Sequence, residues 1–90
     1  MLPLVWLAEA RADLRGISDY ISDRNPAAAE QLVARIEYVA QALPKHPYLY
    51  RPGRFPGTRE AVVHPNYILV YKVGDAIEIL AVNHARQQYP

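Results

Sequence analysis

The stretch "NYILVYKVGDAIEILAV", residues 66–82, constrains this chain more than any other. Tyr67, Leu69, Tyr71 and Val73 alternate with Ile68, Val70 and Lys72 before Gly74-Asp75. Beyond that pair, Ile77, Ile79 and Ala81 alternate with Glu78, Leu80 and Val82. A period of two on both sides of Gly-Asp predicts two antiparallel strands joined by a two-residue turn that needs glycine first. A lone hairpin is marginal in water, so further strands or a helical layer must cover it. "TREAVVH" supplies a third strand, with β-formers at Val62 and Val63. Pro65-Asn66 predicts a second tight turn, with proline presetting φ and asparagine tolerating a positive φ.

The first half of the chain changes period. "LPLVWL" is short and apolar, and Leu4, Val5 and Trp6 suit a strand, with Pro3 at its start. In "AEARADLRGISDYISDR", Leu7, Leu14, Ile17 and Ile21 fall on one helical face, and Ala10 fills a gap. Asn25-Pro26 then punctuates the chain, since asparagine is a strong N-cap and proline favours the first helical position. The second helix carries Ala29, Leu32, Val33, Ile36, Val39, Ala40 and Leu43 in a broad apolar stripe, and Pro44 stops it. Two amphipathic helices with a short connection predict an antiparallel helical hairpin. "PKHPYLYRPGRFPG", with four prolines and two glycines, reads as a loop. The order is β-α-α-β-β-β. It predicts an α+β fold with the helical hairpin packed on one face of a small, antiparallel-dominated sheet, leaving the other face open to a partner.

Ninety residues make one domain, 1–90, which buries only about 60–65% of the surface its unfolded form exposes. The absence of cysteine removes disulfides, thiolate nucleophiles and thiolate metal ligands, and suits a reducing compartment. No apolar run approaches the ~20 residues of a membrane span. The opening residues lack the basic and apolar regions of a signal peptide, so a cytoplasmic chain is expected. A net charge of +1 argues against bulk nucleic-acid binding through phosphates.

Chemical motifs are sparse. His46, His64 and His84 have no compact ligand spacing, so neither a metal nor a cofactor is expected. Ser18, Ser22 and Thr58 sit in no nucleophile motif, and "RPGRFPG" lacks phosphate-loop spacing. Glu60 and Glu78 read as acids on solvated strand faces. What remains is metal-free phosphodiester cleavage, which needs a base, an acid and a cation. Arg54, Arg59, Lys72, His84, Arg86 and Tyr89 could supply these parts if one sheet face gathered them. The residues alone favour the blander reading, in which Arg59 and Lys72 are ordinary solvated strand residues and 84–89 is a surface tail. Seven tyrosines exceed what so small a core needs and suit an interface.

The blocks "WLAEARADLRGISDYI", "HPYLYRPGRFPGTREAVVHPNYILVYKV" and "EILAVNHARQQYP" together resemble the RelE/ParE superfamily of toxins from bacterial type II toxin–antitoxin modules. Within it, the ParE, or plasmid-stabilisation, branch is the nearer match. The resemblance implies a cytoplasmic growth inhibitor neutralised by a cognate antitoxin. Operator DNA would be contacted only indirectly, through the antitoxin or a regulator. One branch cuts mRNA on the ribosome and the other poisons DNA gyrase. The ribonuclease branch carries an arginine just before its "LVY" segment, and here Ile68 stands in its place. Poisoning of DNA gyrase is therefore expected, through a surface that includes Arg59, Lys72, His84, Arg86 and Tyr89. The alternatives are a ribosome-dependent mRNA interferase and a non-toxic antitoxin-binding homologue. The antitoxin is expected on Trp6, Leu14, Ile17, Ile36 and Tyr38.

Overall fold

The computed structural model describes residues 1–86. The elements are β1 (Leu4–Trp6), α1 (Ala8–Ser22), α2 (Pro26–Ala42), β2 (Arg51–Pro52), β3 (Arg59–His64), β4 (Tyr67–Val73) and β5 (Ile77–His84). They form one five-stranded sheet in the order β1-β5-β4-β3-β2. β1 runs parallel to β5, and every other pairing is antiparallel. The helical hairpin packs on one face of this sheet, as the α+β reading predicted.

Local chemistry sets the helix ends. Asn25 takes an extended conformation and its Oδ1 accepts the Ala28 N–H at 3.1 Å, with Pro26 opening α2. At the end of α1, the Arg24 guanidinium donates to the Tyr20 carbonyl and lies 3.9 Å from the centroid of the Tyr20 ring. The core between hairpin and sheet gathers Ala10, Leu32, Ile36, Val39, Ala40 and Leu43 from the helices. Ala61, Val63, Leu69, Tyr71, Ile77, Ile79 and Val82 close it from the strands.

Three expectations need correction. The turn after β4 spans three residues, because Val73 pairs with Ile77 and the Gly74 N–H donates to the Ala76 carbonyl. Gly74 has no positive φ, and neither does Asn66 in its two-residue turn; among the described residues only Gly57 does, at 83°. Second, β5 changes phase. Val70 pairs with Ala81 but Tyr71 pairs with Ile79, so Leu80 is an extra, bulged residue. The bulge puts Val82 on the helix side with Ile77 and Ile79 and turns Ala81 away. Third, the far face of the sheet is not simply open. Ile68, Val70 and Glu60 lie on it and are each only 3% exposed.

A second bulge, between Val62 and His64 in β3, is used by α2: the Arg35 Nε donates to the Val63 carbonyl at 3.2 Å. β5 is anchored in a similar way. β1 reaches only as far as Ile79, and beyond it the Asp13 carboxylate of α1 accepts the Val82 N–H at 3.0 Å. A strand edge that would otherwise lack a partner is thus tied to the hairpin.

Candidate functional site

Register decides which polar side chains can meet. Residues directly opposite in an antiparallel pair share a face. Arg59 pairs with Tyr71, and Tyr67 pairs with His84, so Arg59 and His84 lie on the helix side at opposite ends of β4. Lys72 pairs with Glu78 on the far face, and its Nζ lies 3.4 Å from the Glu78 carboxylate. The surface expected from the sequence is therefore divided among three places. Arg86 follows β5 near His84, and Tyr89 lies outside the described residues.

Each place has its own chemistry. Beside β3, the Arg59 guanidinium donates to the Tyr50 carbonyl at 2.6 Å and sits 4.8 Å from the centroid of the Tyr48 ring. The buried Tyr71 hydroxyl donates to the Pro47 carbonyl at 2.9 Å, pinning the long loop to the sheet. Burial pushes the Tyr71 phenol above its ordinary value of 10.0, against the opposing pull of Arg59. On the far face, Glu60 departs from its expected solvated position. Its side chain is 2% exposed and takes Arg51 at 3.0 Å, Arg54 Nε at 3.8 Å and the Arg54 N–H at 3.2 Å. A buried carboxylate must be paired, and two arginines of the loop do this. Sequence pattern missed this cluster because the position alternates as a surface strand residue would. The cue was the prolines and arginines of "YRPGRFPGTRE", which fold β2 back over it.

At the other end, the Tyr67 ring lies between His64 and His84, with centroids at 5.8 and 5.5 Å. Both imidazoles accept a backbone N–H at Nδ1, His64 from Asn66 at 3.0 Å and His84 from Arg86 at 3.2 Å. The Ala85 N–H donates to the Asn66 carbonyl at 2.7 Å, so the end of β5 is tied to the β3–β4 turn. A groove of about 430 Å³ opens here, lined by Asp13, Gly16, Ile17, Tyr20, Tyr67 and His84 among others. Among the described residues, no group of three or more His, Asp or Glu is arranged to hold a metal ion, and no helix is long and apolar enough to cross a membrane.

The expected antitoxin contacts also separate. Trp6 and Leu14 line a groove of about 390 Å³ on the hairpin, with Arg11, Arg15, Val33 and Glu37. Tyr38 is 74% exposed. Ile17 is half-buried and faces the other groove. Ile36 has no exposed surface, so it belongs to the core and can reach a partner only if the hairpin opens.

Residues 4–89 match the family described as the ParE toxin of the type II toxin–antitoxin system, parDE. This chain belongs to the ParE toxin family. A protein of Sinorhizobium fredii (strain NBRC 101917 / NGR234), named "Putative toxin Y4kP", is 42% identical over 86 residues, covering 94% of this chain and 90% of that protein. "Toxin RelE2" of Caulobacter vibrioides is 36% identical over 88 residues, covering 94% and 97%. A solved structure described as the chromosomal ParDE system from P. aeruginosa superposes with a TM-score of 0.84 at 27% identity, over 93% of this chain and 96% of that one. The YoeB dimer of Staphylococcus aureus shares the fold, with a TM-score of 0.66 at 17% identity over 98% of each chain. The chain is thus a type II toxin with the ParE fold, and membership in the ParE family implies a cognate antitoxin as partner.

Proposed function

We propose that this ParE-family toxin stops growth by docking on DNA gyrase rather than by cutting RNA, and that its antitoxin silences it by covering the hairpin. The observation that carries this reading is the dispersal of the polar candidates. Phosphodiester cleavage needs a base, an acid and a cation within hydrogen-bond reach of one phosphate. Arg59, Lys72 and His84 lie on different faces or ends of the sheet. Ile68, in the middle, is buried hydrocarbon that cannot stabilise a phosphorane. The imidazoles argue the same way. Each Nδ1 is already engaged by a backbone N–H two residues on, Asn66 for His64 and Arg86 for His84.

The target surface best supported is the end that holds Tyr67, His84 and Arg86, with Arg59 and Lys72 as separate contacts. For the antitoxin, the groove at Trp6 and Leu14 with exposed Tyr38 nearby in sequence on α2 suits the apolar face of a helix. Truncating one central anchor of such a surface should weaken binding by ~2 kcal/mol or more.

One observation favours a second reading, ribosome-dependent mRNA cleavage: a relative at 36% identity bears the name RelE2. The deciding experiment is induction of the chain without antitoxin, scoring DNA supercoiling, DNA breaks and mRNA cleavage in the same cells. Loss of supercoiling with intact mRNA is expected. Codon-positioned cuts with normal supercoiling would replace the first reading with the second, and unaffected growth would remove both.

A further inference from the structure

We infer that the loop of residues 45–59 is a platform for single-stranded nucleic acid. The near-neutral net charge hides a strong segregation. Residues 38–59 hold Lys45, Arg51, Arg54 and Arg59 and not one Asp or Glu. The rest of the chain keeps six cations against all nine acids. Folding sharpens the contrast. The acid that meets this loop, Glu60, lies at its floor with a side chain 2% exposed, while those of Arg51 and Arg54 remain 57% and 40% exposed. Glu60 therefore fixes the two guanidinium groups without masking them from outside, which lowers the entropy lost when they grip a ligand.

Rings accompany the cations. Tyr48 is 66% exposed although the Arg59 guanidinium lies against it, so most of the ring is left in water. Phe55, at 45%, is exposed on the same loop. Cations interleaved with partly exposed rings match a strand whose bases are unstacked. Backbone phosphates meet the guanidinium groups, and a base stacks on a Tyr48 ring already backed by Arg59.

Geometry selects among polyanions. Arg51 and Arg54 reach Glu60 on the far face, whereas Arg59 lies on the helix side, so the cations flank both sides of the edge made by β2 and β3. A flexible single strand can straddle this ridge. A straight duplex touches one flank and presents no base faces, and an acidic peptide uses the charges but not the rings. The inference concerns a surface of the toxin itself and shares only Arg59 with the proposed gyrase contacts.

The test is fluorescence anisotropy on the purified full chain. The probes are labelled oligothymidine and oligouridine of about ten nucleotides, a duplex of the same length, and a glutamate-rich peptide as competitor. Both single strands are expected to bind more tightly than the duplex, and the DNA and RNA arms show which is preferred. Raising salt from about 50 to about 200 mM should weaken binding about 20- to 50-fold, for three to four phosphate contacts. Tyr48→Ala should weaken it about fivefold or more, and Tyr48→Phe, which keeps the ring, should restore it. Thermal unfolding of each variant identifies any that fails to fold, and the Tyr48→Phe and salt arms do not depend on that outcome. Absence of binding at low salt, equal affinity for duplex, displacement by the peptide as effective as by the oligonucleotide, or a folded Tyr48→Ala with parental affinity would each overturn the inference. A chain that binds the oligonucleotide yet leaves growth unaffected would refute the proposed function and leave this one standing.

Discussion

Replacing Glu60 by Gln tests whether the loop is held by charge or by shape. Gln keeps the volume and one acceptor oxygen but removes the negative charge. In the folded chain the carboxylate takes the Arg51 guanidinium, the Arg54 guanidinium and the Arg54 N–H. Hydrogen bonds to a charged group contribute about 1.5–3 kcal/mol when enclosed. Here the acid is enclosed but both cations stand about half in water, so screening must reduce that figure. The net loss for Glu60→Gln should be about 1–2 kcal/mol. For a domain of this size that lowers the melting temperature by roughly 5–15 °C. Circular dichroism melts at neutral pH read this directly. The parent's stability should also fall with added salt more steeply than the variant's, because only the parent has the ion pairs to screen. A variant that melts at the parent's temperature, with the same salt slope, would show that the buried acid does not hold the loop.

Tyr71 makes a pH prediction. Its phenol is raised by burial, so the folded state holds that proton more tightly than the unfolded chain does. The stabilisation is complete below the ordinary value of 10.0 and is lost as pH rises through the folded value; Tyr71→Phe should flatten alkaline unfolding curves. Asn25→Ala removes the cap on the Ala28 N–H and should destabilise by about 1 kcal/mol in urea titration, with an unchanged denaturant slope. Asp13→Ala leaves the Val82 N–H without its acceptor and should destabilise by about 1–3 kcal/mol, with faster amide exchange at Val82 than at Leu69 across the ladder.

Elements with a strong period were legible in the sequence; departures from period were not. The cap at Asn25, the apolar stripe of α2 and the two long strands follow from local chemistry, and each lies where the pattern put it. The bulge at Leu80 was invisible because alternation in "AIEILAV" fits either phase until a neighbouring strand fixes one. β2 was missed because a two-residue edge strand inside a proline-rich loop has no period at all. The candidate site suffered from the same limit. Spacing along the chain says which residues are polar, but only the register shows that Arg59 and Lys72 look in opposite directions. The burial of Glu60 depends on arginines that arrive from the preceding loop, and alternation within β3 carries no sign of them.

The pairing of β1 with β5 has a consequence for how the toxin comes into being. Among the described residues, Leu4–Trp6 meets its only sheet neighbour at Ile77–Ile79, in the strand most distant in sequence. During synthesis the hairpin can form early, but its covering sheet cannot be completed until the ribosome has released β5. A nascent chain therefore lacks its complete five-stranded sheet until β5 has emerged.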